Sequence, residues 1–449
     1  MAKQYVCDMT SGNETSLLLR FSLPMLVGNI FQQFYNMVDS IIVGNYVGKN
    51  ALAAVGMTSG LNFLYFSLCN GFATGAGVLM SQYFGQKNEK RVRDAIGNSV
   101  YLMLAMGLLV SLVSVLCSRP ILVLLNTPEE IFEDALLYTR IVCGGVISVV
   151  LYNGIAAMLR ALGDSKTPLV FLIIASILNV IGDLVFVLNF NLGVAGVAIA
   201  TILAQTLSAL GCIIYAVLKN PYFRLTKENF RPDRQLLRTC LKLGIPFGAQ
   251  GSLIAFSCVA LQSIINQFGA DVIAAFTATS RIEQLVQQPY TSLGMAVATF
   301  SAQNLGAGNV ERVQRGYRKS TMLVVVFSLI MMTMMFLWGS NFIRLFVDDE
   351  AVVAIGGRAV RITSLFYIPL GMIYIARSLL NGAGDSLFAF VSGIAEVVGR
   401  IGFSILLCAI PVLGYWAVWY ITGLTWLITG LTCIARYAQG KWKKIALVG

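Results

Sequence analysis

The 449-residue chain contains no histidine and few charged residues, and both shortages exclude classes of function. Without histidine there is no imidazole acid–base catalyst and no histidine-ligated metal site. Charged residues make up 12% of the chain, whereas soluble proteins hold about 25%. The nine cysteines form no Cys-x-x-Cys pair, so we interpret them as small buried apolar side chains. No loop ends in Gly-Lys-Ser/Thr, which argues against ATP hydrolysis by this chain.

Apolar residues are abundant, at 57% of the chain. Runs such as 102–117 and 322–338 are apolar on all sides, which indicates helices and not the alternating strands of an outer-membrane barrel. A helix needs about 20 such residues to cross a bilayer. The sequence therefore predicts an all-α integral membrane protein with twelve transmembrane helices.

The two halves of the chain match at an offset of 221 residues. Gly163-Asp164-Ser165, for example, recurs as Gly384-Asp385-Ser386. Six helices per half return the second copy in the same orientation, which predicts two six-helix bundles related by a pseudo-twofold axis along the membrane normal. We predict an N-terminal lobe over 1–219, a cytoplasmic linker over 220–238 and a C-terminal lobe over 239–449. Duplicated folds of this kind favour alternating access, although channels and scaffolds also use them.

The net charge of +11 is distributed unevenly along the chain. Most lysines and arginines fall in loops on the side of the two termini, including the 220–238 segment. The positive-inside rule then places both termini of this multi-pass membrane protein in the cytoplasm. This topogenic explanation of the charge is preferred to nucleic-acid binding, so no nucleic-acid partner is expected.

Two aspartates lie inside predicted spans of the first half, each with polar neighbours on its own helical face. Gln32 and Asn36 precede Asp39 by seven and three residues, and Asn179 precedes Asp183 by four. Ionisable groups inside a membrane cost at least about 2.5–3.5 kcal/mol each on insertion scales. A functional role is therefore expected for both acids.

Thr201 and Gln205 form a polar stripe on the following span. Carboxylate, amide and hydroxyl oxygens together suit a hard cation such as sodium. Two carboxylates at short range can instead share a proton. The polar residues alone would also fit a role as hydrogen-bond glue between helices.

The second half does not repeat this acidic pattern. Glu283 has Arg281 two residues away, and Glu396 has Arg400 at i+4, so we predict structural ion pairs. The alternative for Glu283 is substrate contact, which makes it a candidate cavity residue together with Gln32, Asn36 and Gln205.

These residues resemble the multidrug and toxic compound extrusion (MATE) family over nearly the whole chain. The similarity rests on Gln32-(x3)-Asn36-(x2)-Asp39, Asn179-(x3)-Asp183 and Gly193-Val194-Ala195-Gly196 among other motifs. It implies export of small organic, often cationic, compounds in exchange for protons or sodium, by a monomer without a cofactor.

In the DinF-like prokaryotic branch of this family, the cation site would correspond here to Asp39, Asn179, Asp183 and Thr201, which would also be the ligands of a sodium ion. The other prokaryotic branch carries acids in the second lobe, where this chain has apolar residues such as Ile254 and Leu370. The resemblance thus favours a first-lobe site.

Two other functions stay open at this point. A flippase for lipid-linked or amphiphilic substrates belongs to the same fold superfamily, and several unpaired arginines in the cavity would favour it. A membrane-embedded enzyme would need a clustered catalytic motif, and the sequence has none, so we expect no enzymatic activity.

Overall fold

The structure is a computed structural model that describes residues 7–125 and 127–445. Over these residues the secondary structure is helical, with no β-strand. The α-helices are α1 (Glu14–Ile42), α2 (Lys49–Gly85), α3 (Glu89–Leu124), α4 (Glu129–Gly144), α5 (Val146–Ala161), α6 (Lys166–Leu184), α7 (Gly193–Lys219), α8 (Arg234–Ile265), α9 (Ala270–Gly306), α10 (Val310–Arg344), α11 (Glu350–Ser364), α12 (Tyr367–Ala383), α13 (Ser386–Cys408) and α14 (Ala417–Ala438).

Eight of these helices are long and apolar enough to cross a membrane by themselves. Two predicted spans are each broken into a bent pair: α4 and α5 meet at 45°, and α11 and α12 meet at 50°. The remaining two long helices, α1 and α9, fall outside the apolar set, because each contains several charged or amide side chains. Together these segments make twelve spans, so the predicted all-α membrane fold is confirmed.

Backbone contacts divide the chain into two compact units. Among the described residues, unit 1 comprises 7–9 and 23–248, and unit 2 comprises 10–22 and 249–445. Helices α1 and α8 each contribute residues to both units. The lobe limits predicted from the sequence stay a prediction.

The backbone repeats the duplication seen in the sequence. Four positions with φ between +54° and +121° in the first half have counterparts 221 residues later, where φ is again positive. The pairs are Gly48 with Gly269, Lys87 with Gly308, Gly163 with Gly384, and Gly193 with Gly414. Left-handed backbone is uncommon outside turns, so this match shows that the two halves use the same turns between corresponding helices.

The segment 220–238 is fixed against α3. Arg91 Nη1 donates to Asp233 Oδ2 at 2.7 Å, and Asn229 Nδ2 donates to Asp94 Oδ1 at 2.8 Å. Partial burial alone would raise the pKa of Asp233, but the hydrogen bonds from Arg91 and from the backbone N–H groups of Leu236 and Gln235 together outweigh it and lower that pKa below its usual value. The segment is therefore a docked connection with its own ion pair.

Unit 2 contains a buried carboxylate at the start of α1. Glu14 is 7% exposed and accepts hydrogen bonds from Lys319 Nζ at 2.7 Å, Arg315 Nε at 3.1 Å and Arg312 Nη1 at 3.3 Å. The hydrogen bond from Lys319 is the main reason that the pKa of Glu14 falls from 4.5 to about 2. This cluster attaches the beginning of α1 to α10.

Replacing Glu14 with glutamine is expected to lower the free energy of unfolding at pH 7 by about 1–2 kcal/mol, since charge-assisted hydrogen bonds are lost but Lys319 and Arg315 are partly solvated. A depressed pKa gives stabilisation that is present above pH 4.5 and lost as the pH falls towards 2. Thermal unfolding in detergent should show the difference from wild type shrinking below pH 4.5. The control is Glu311→Gln, which removes an exposed carboxylate of α10. A difference that is absent at pH 7 would contradict this account of the cluster.

Candidate cation site in unit 1

The two acidic helices end in the same unusual way. α1 continues into a π-helical turn over Val43–Val47, and α6 continues into another over Val185–Asn189. The two turns contact each other, and Val43 and Val187 are buried in one apolar cluster. π-helical turns are rare and often adjoin functional sites. Packing of these turns places Asp39, near the end of α1, beside Asp183, near the end of α6.

The carboxyl groups of Asp39 and Asp183 lie within hydrogen-bonding reach of each other. Asp183 is fully buried, and Asp39 is half-buried. Among the described residues, neither Asp39 Oδ1 nor Asp183 Oδ1 has a hydrogen-bond donor. Two ionised carboxylates would repel strongly here, so this arrangement requires a proton or a cation between them.

Asn179 and Thr201 hold one side of the acidic pair. One end of the Asn179 amide is 3.1 Å from both the backbone nitrogen and Oγ1 of Thr201, and the other end is 3.1 Å from Asp183 Oδ2. The Thr201 N–H can only donate and an ionised carboxylate can only accept, so the amide oxygen faces Thr201 and the amide nitrogen donates to Asp183. Asn179 therefore orients the Asp183 carboxylate.

Two tyrosines at the site were not predicted from the sequence. The Tyr35 hydroxyl lies near the Thr201 side chain, and Tyr138, 8% exposed, lies within electrostatic range of both Asp39 and Asp183. Tyr35 precedes Asp39 by four residues, so helical spacing could have revealed it. Tyr138 comes from α4, and no local pattern connects it to the aspartates.

Of the other predicted cavity residues of unit 1, one lies beside the site and two are exposed on α1. Gln205 follows Thr201 by one helical turn and is half-buried, and its Oε1 has no hydrogen-bond donor among the described residues. Gln32 and Asn36 have exposed side chains on α1. Their substrate contact stays a prediction.

The predicted ion pairs of unit 2 are wrong. Glu396 pairs at 3.1 Å with Arg377 of α12, and not with Arg400 on its own helix. Arg281 is exposed, whereas the cation that acts electrostatically on buried Glu283 is Arg400. Contacts between helices thus override the i+4 spacing within one helix.

A metal centre built from many charged ligands is not indicated. The described residues hold no group of three or more Asp, Glu or Cys side chains placed to bind a metal ion. The site offers two carboxylates, with one free oxygen on each, and neutral polar neighbours. This set can take a proton or one small monovalent cation.

Thr201→Val should weaken the site without removing either acid. The substitution deletes the hydroxyl that anchors Asn179, and one such hydrogen bond contributes about 1 kcal/mol, or roughly a fivefold change in an equilibrium. We expect the pH at half-maximal transport to shift while the maximal rate is largely kept, as measured in vesicles over a pH series. Thr206→Val is the control, because that hydroxyl on the same helix bonds Ser148 instead. An unchanged pH profile in Thr201→Val would exclude a supporting role.

Comparisons with known proteins assign the chain to a family. The MatE family model matches residues 24–185 and 246–406, once in each half. The probable multidrug resistance protein YpnP of Bacillus subtilis (strain 168) is 30% identical over 98% of this chain and 98% of its own length. The probable multidrug resistance protein NorM of Thermotoga maritima is 24% identical over 96% of this chain and 94% of its own.

Solved structures agree in fold. An outward-facing multidrug resistance MATE family transporter of the MOP superfamily superposes with a TM-score of 0.91 at 21% identity, covering 98% of both chains. A MOP superfamily transporter from Pyrococcus furiosus gives 0.90 at 22% identity, again over 98% of both. The chain belongs to the MatE family of membrane transporters, which are not enzymes.

Proposed function

We propose that this protein is a secondary active multidrug exporter that exchanges organic, often cationic, compounds for an inward-moving ion by alternating access. Relatives named as multidrug resistance and multidrug export proteins support this substrate class. The observation that carries the coupling mechanism is the close approach of Asp39 and Asp183 in unit 1.

We assign the coupling ion as a proton. A sodium ion needs several oxygen ligands, but the Asn179 oxygen faces Thr201 and not the carboxylates. That leaves one free oxygen on each aspartate, which is the geometry of two carboxyl groups that share a proton.

The proposed transport cycle depends on the charge of the Asp39–Asp183 pair in each of its protonation states. With the shared proton bound, the pair carries one negative charge, and a second proton neutralises it. Proton loss leaves two like charges in contact and favours a conformation in which they separate or meet a cationic substrate. A proton can bias the two conformations only by the difference in its affinity for them. Proton entry and substrate exit therefore alternate.

Purified protein in proteoliposomes tests this proposal. A fluorescent organic cation is followed under an imposed proton gradient, and separately under an imposed sodium gradient with the pH equal on both sides. We expect transport to follow the proton gradient. Transport that follows only the sodium gradient would overturn the assignment of the ion, and transport with neither would overturn antiport.

The proposed setting is the prokaryotic plasma membrane, with both termini in the cytoplasm and a monomer as the working unit. No organic cofactor or nucleic acid is required by this mechanism. A protease added to the outside of intact cells should leave both terminal tags uncut if this orientation is right.

The flippase alternative depends on several unpaired arginines in one cavity. Two arginines of unit 2 lie near Glu283 and Glu396: Arg377 is paired with Glu396, and Arg400 has no ion pair among the described residues. This single guanidinium favours export of small molecules over movement of a polyanionic lipid headgroup.

A further inference from the structure

Arg400 is a buried cation without an acidic partner. It lies in α13 at 5% exposure, and no described carboxylate oxygen lies within 4.0 Å of its nitrogens. Its one hydrogen bond runs from Nη1 to Cys258 Sγ at 2.8 Å, and its Nε has no partner. Since a thiol is a weak acceptor, most of the guanidinium's five N–H groups are unused.

A second arginine of unit 2, Arg377, forms a structural ion pair and serves for comparison. Arg377 Nη2 donates to Glu396 Oε2 at 3.1 Å, and both side chains are mostly buried. Charges inside a membrane bundle are normally neutralised in this way. Arg400 is not neutralised by an ion pair, although Glu396 lies one helical turn away on the same helix.

Glu283 is the acid that faces Arg400 without touching it. It is 8% exposed, lies near the Thr363 side chain, and is within electrostatic range of Arg400. Its Oε1 has no donor among the described residues. Each of the two residues therefore has an unsatisfied hydrogen-bonding group: Glu283 has a free acceptor, and Arg400 has a free donor.

Arg400 is reachable because Cys258 is exposed. The sequence predicted buried cysteines, but the thiol that Arg400 contacts belongs to an exposed residue of α8. A group that approaches Cys258 would meet the guanidinium directly behind it.

We propose that Arg400 is the recognition residue of a subsite in unit 2 for an acidic group, a carboxylate or a phosphate, which approaches beside Cys258. A guanidinium binds such oxyanions through two parallel hydrogen bonds, which no neutral side chain can replace. Glu283 sets the selectivity, because its charge repels a second anion and its free oxygen accepts a hydrogen bond from a donor on the same ligand. The exporter would then accept zwitterionic and acidic compounds as well as cations. In this respect the inference rests on the proposed export function.

Alkylation of Cys258 by N-ethylmaleimide provides a test that does not require transport. The modified peptide is quantified by mass spectrometry in detergent, with benzoate, with neutral benzamide of similar size, or with neither. By mass action, benzoate at ten times its Kd should slow alkylation of Cys258 about tenfold. Benzamide should have no effect. Exposed Cys408 serves as an internal control whose alkylation rate stays constant.

Arg400→Gln should abolish the protection by benzoate, whereas Arg281→Gln, which removes an exposed arginine, should keep it. Thermal unfolding verifies that both variants are folded. Protection that persists in Arg400→Gln, or that affects Cys408 equally, would overturn the proposal.

Vesicles of different lipid composition show whether the bound acidic group belongs to a free compound or to a membrane lipid. The experiment is repeated without benzoate in vesicles of phosphatidylcholine alone and in vesicles that also contain phosphatidylglycerol. Slower alkylation of Cys258 only with phosphatidylglycerol would identify a lipid phosphate as the occupant. No protection by either benzoate or phosphatidylglycerol would refute the subsite. The alkylation assay uses no ion gradient and no transport, so failure here and failure of the ion-coupled export remain distinguishable.

Discussion

Asp39→Asn and Asp183→Asn are each expected to reduce ion-driven export to the level of protein-free vesicles. Asparagine keeps the size of the side chain but cannot gain or lose a proton, so the pair can no longer change charge. The effect should be complete for either substitution, because one carboxyl group alone has no partner with which to share a proton. Drug accumulation in cells and gradient-driven transport in proteoliposomes both measure it.

The matched control is Asp134→Asn, which neutralises an acid of α4 that is not among the groups acting on either carboxyl of the pair. It should transport at the wild-type rate. Because the Asn variants replace a buried ionisable carboxyl with a neutral amide of similar size, they should also be at least as heat-stable as wild type. Gradient-driven export by either Asp39→Asn or Asp183→Asn would refute the role of the pair.

Gly71→Ala should lower the free energy of unfolding, and this is the second-largest effect we predict. A Cβ at Gly71 would lie 2.6 Å from the Gly244 carbonyl oxygen, and a Cβ at Gly75 would lie 2.9 Å from the Gly244 nitrogen. These are backbone atoms that cannot rotate away, and both helices carry the Gly-x-x-x-Gly spacing that allows close approach in membranes. Overpacking typically costs about 1–3 kcal/mol, and we expect the upper end of that range here.

Gly60→Ala in the same helix is the control, because a Cβ there would have no atom within 4 Å. Alanine favours helix over glycine by up to about 1 kcal/mol, so this variant should unfold at the wild-type temperature or above. Equal unfolding temperatures for Gly71→Ala and Gly60→Ala would contradict the close crossing of α2 with α8.

The sequence predicted the fold well because its main determinants are local and repeated. Long apolar runs specify spans wherever they occur, and the 221-residue repeat reappears as matched left-handed turns such as Gly163 and Gly384. The bends in the α4–α5 and α11–α12 spans were not predicted. The residues on either side of Gly145, from 141 to 151, are nearly all apolar, so hydropathy gives no sign of the break.

The site was predicted in part. Asp39 and Asp183 were predicted because isolated acids are costly in a membrane. Asn179 was predicted because it precedes Asp183 by four residues on the same helical face. Tyr138 and the pairing of Glu396 with Arg377 depend on which helices are neighbours. Spacing along one helix cannot reveal this, which is why the predicted Glu396–Arg400 pair was wrong.

Proton release on substrate binding tests the shared proton most directly. Purified protein in weakly buffered detergent solution, near the midpoint of its pH–transport profile, is mixed with an organic cation that it exports, and the pH change is recorded with an indicator dye. Wild-type protein should release protons in proportion to bound substrate, in the presence or absence of sodium, and Asp39→Asn should release none while Asp134→Asn behaves as wild type. Substrate binding to wild-type protein without proton release, or equal release from Asp39→Asn, would contradict the account.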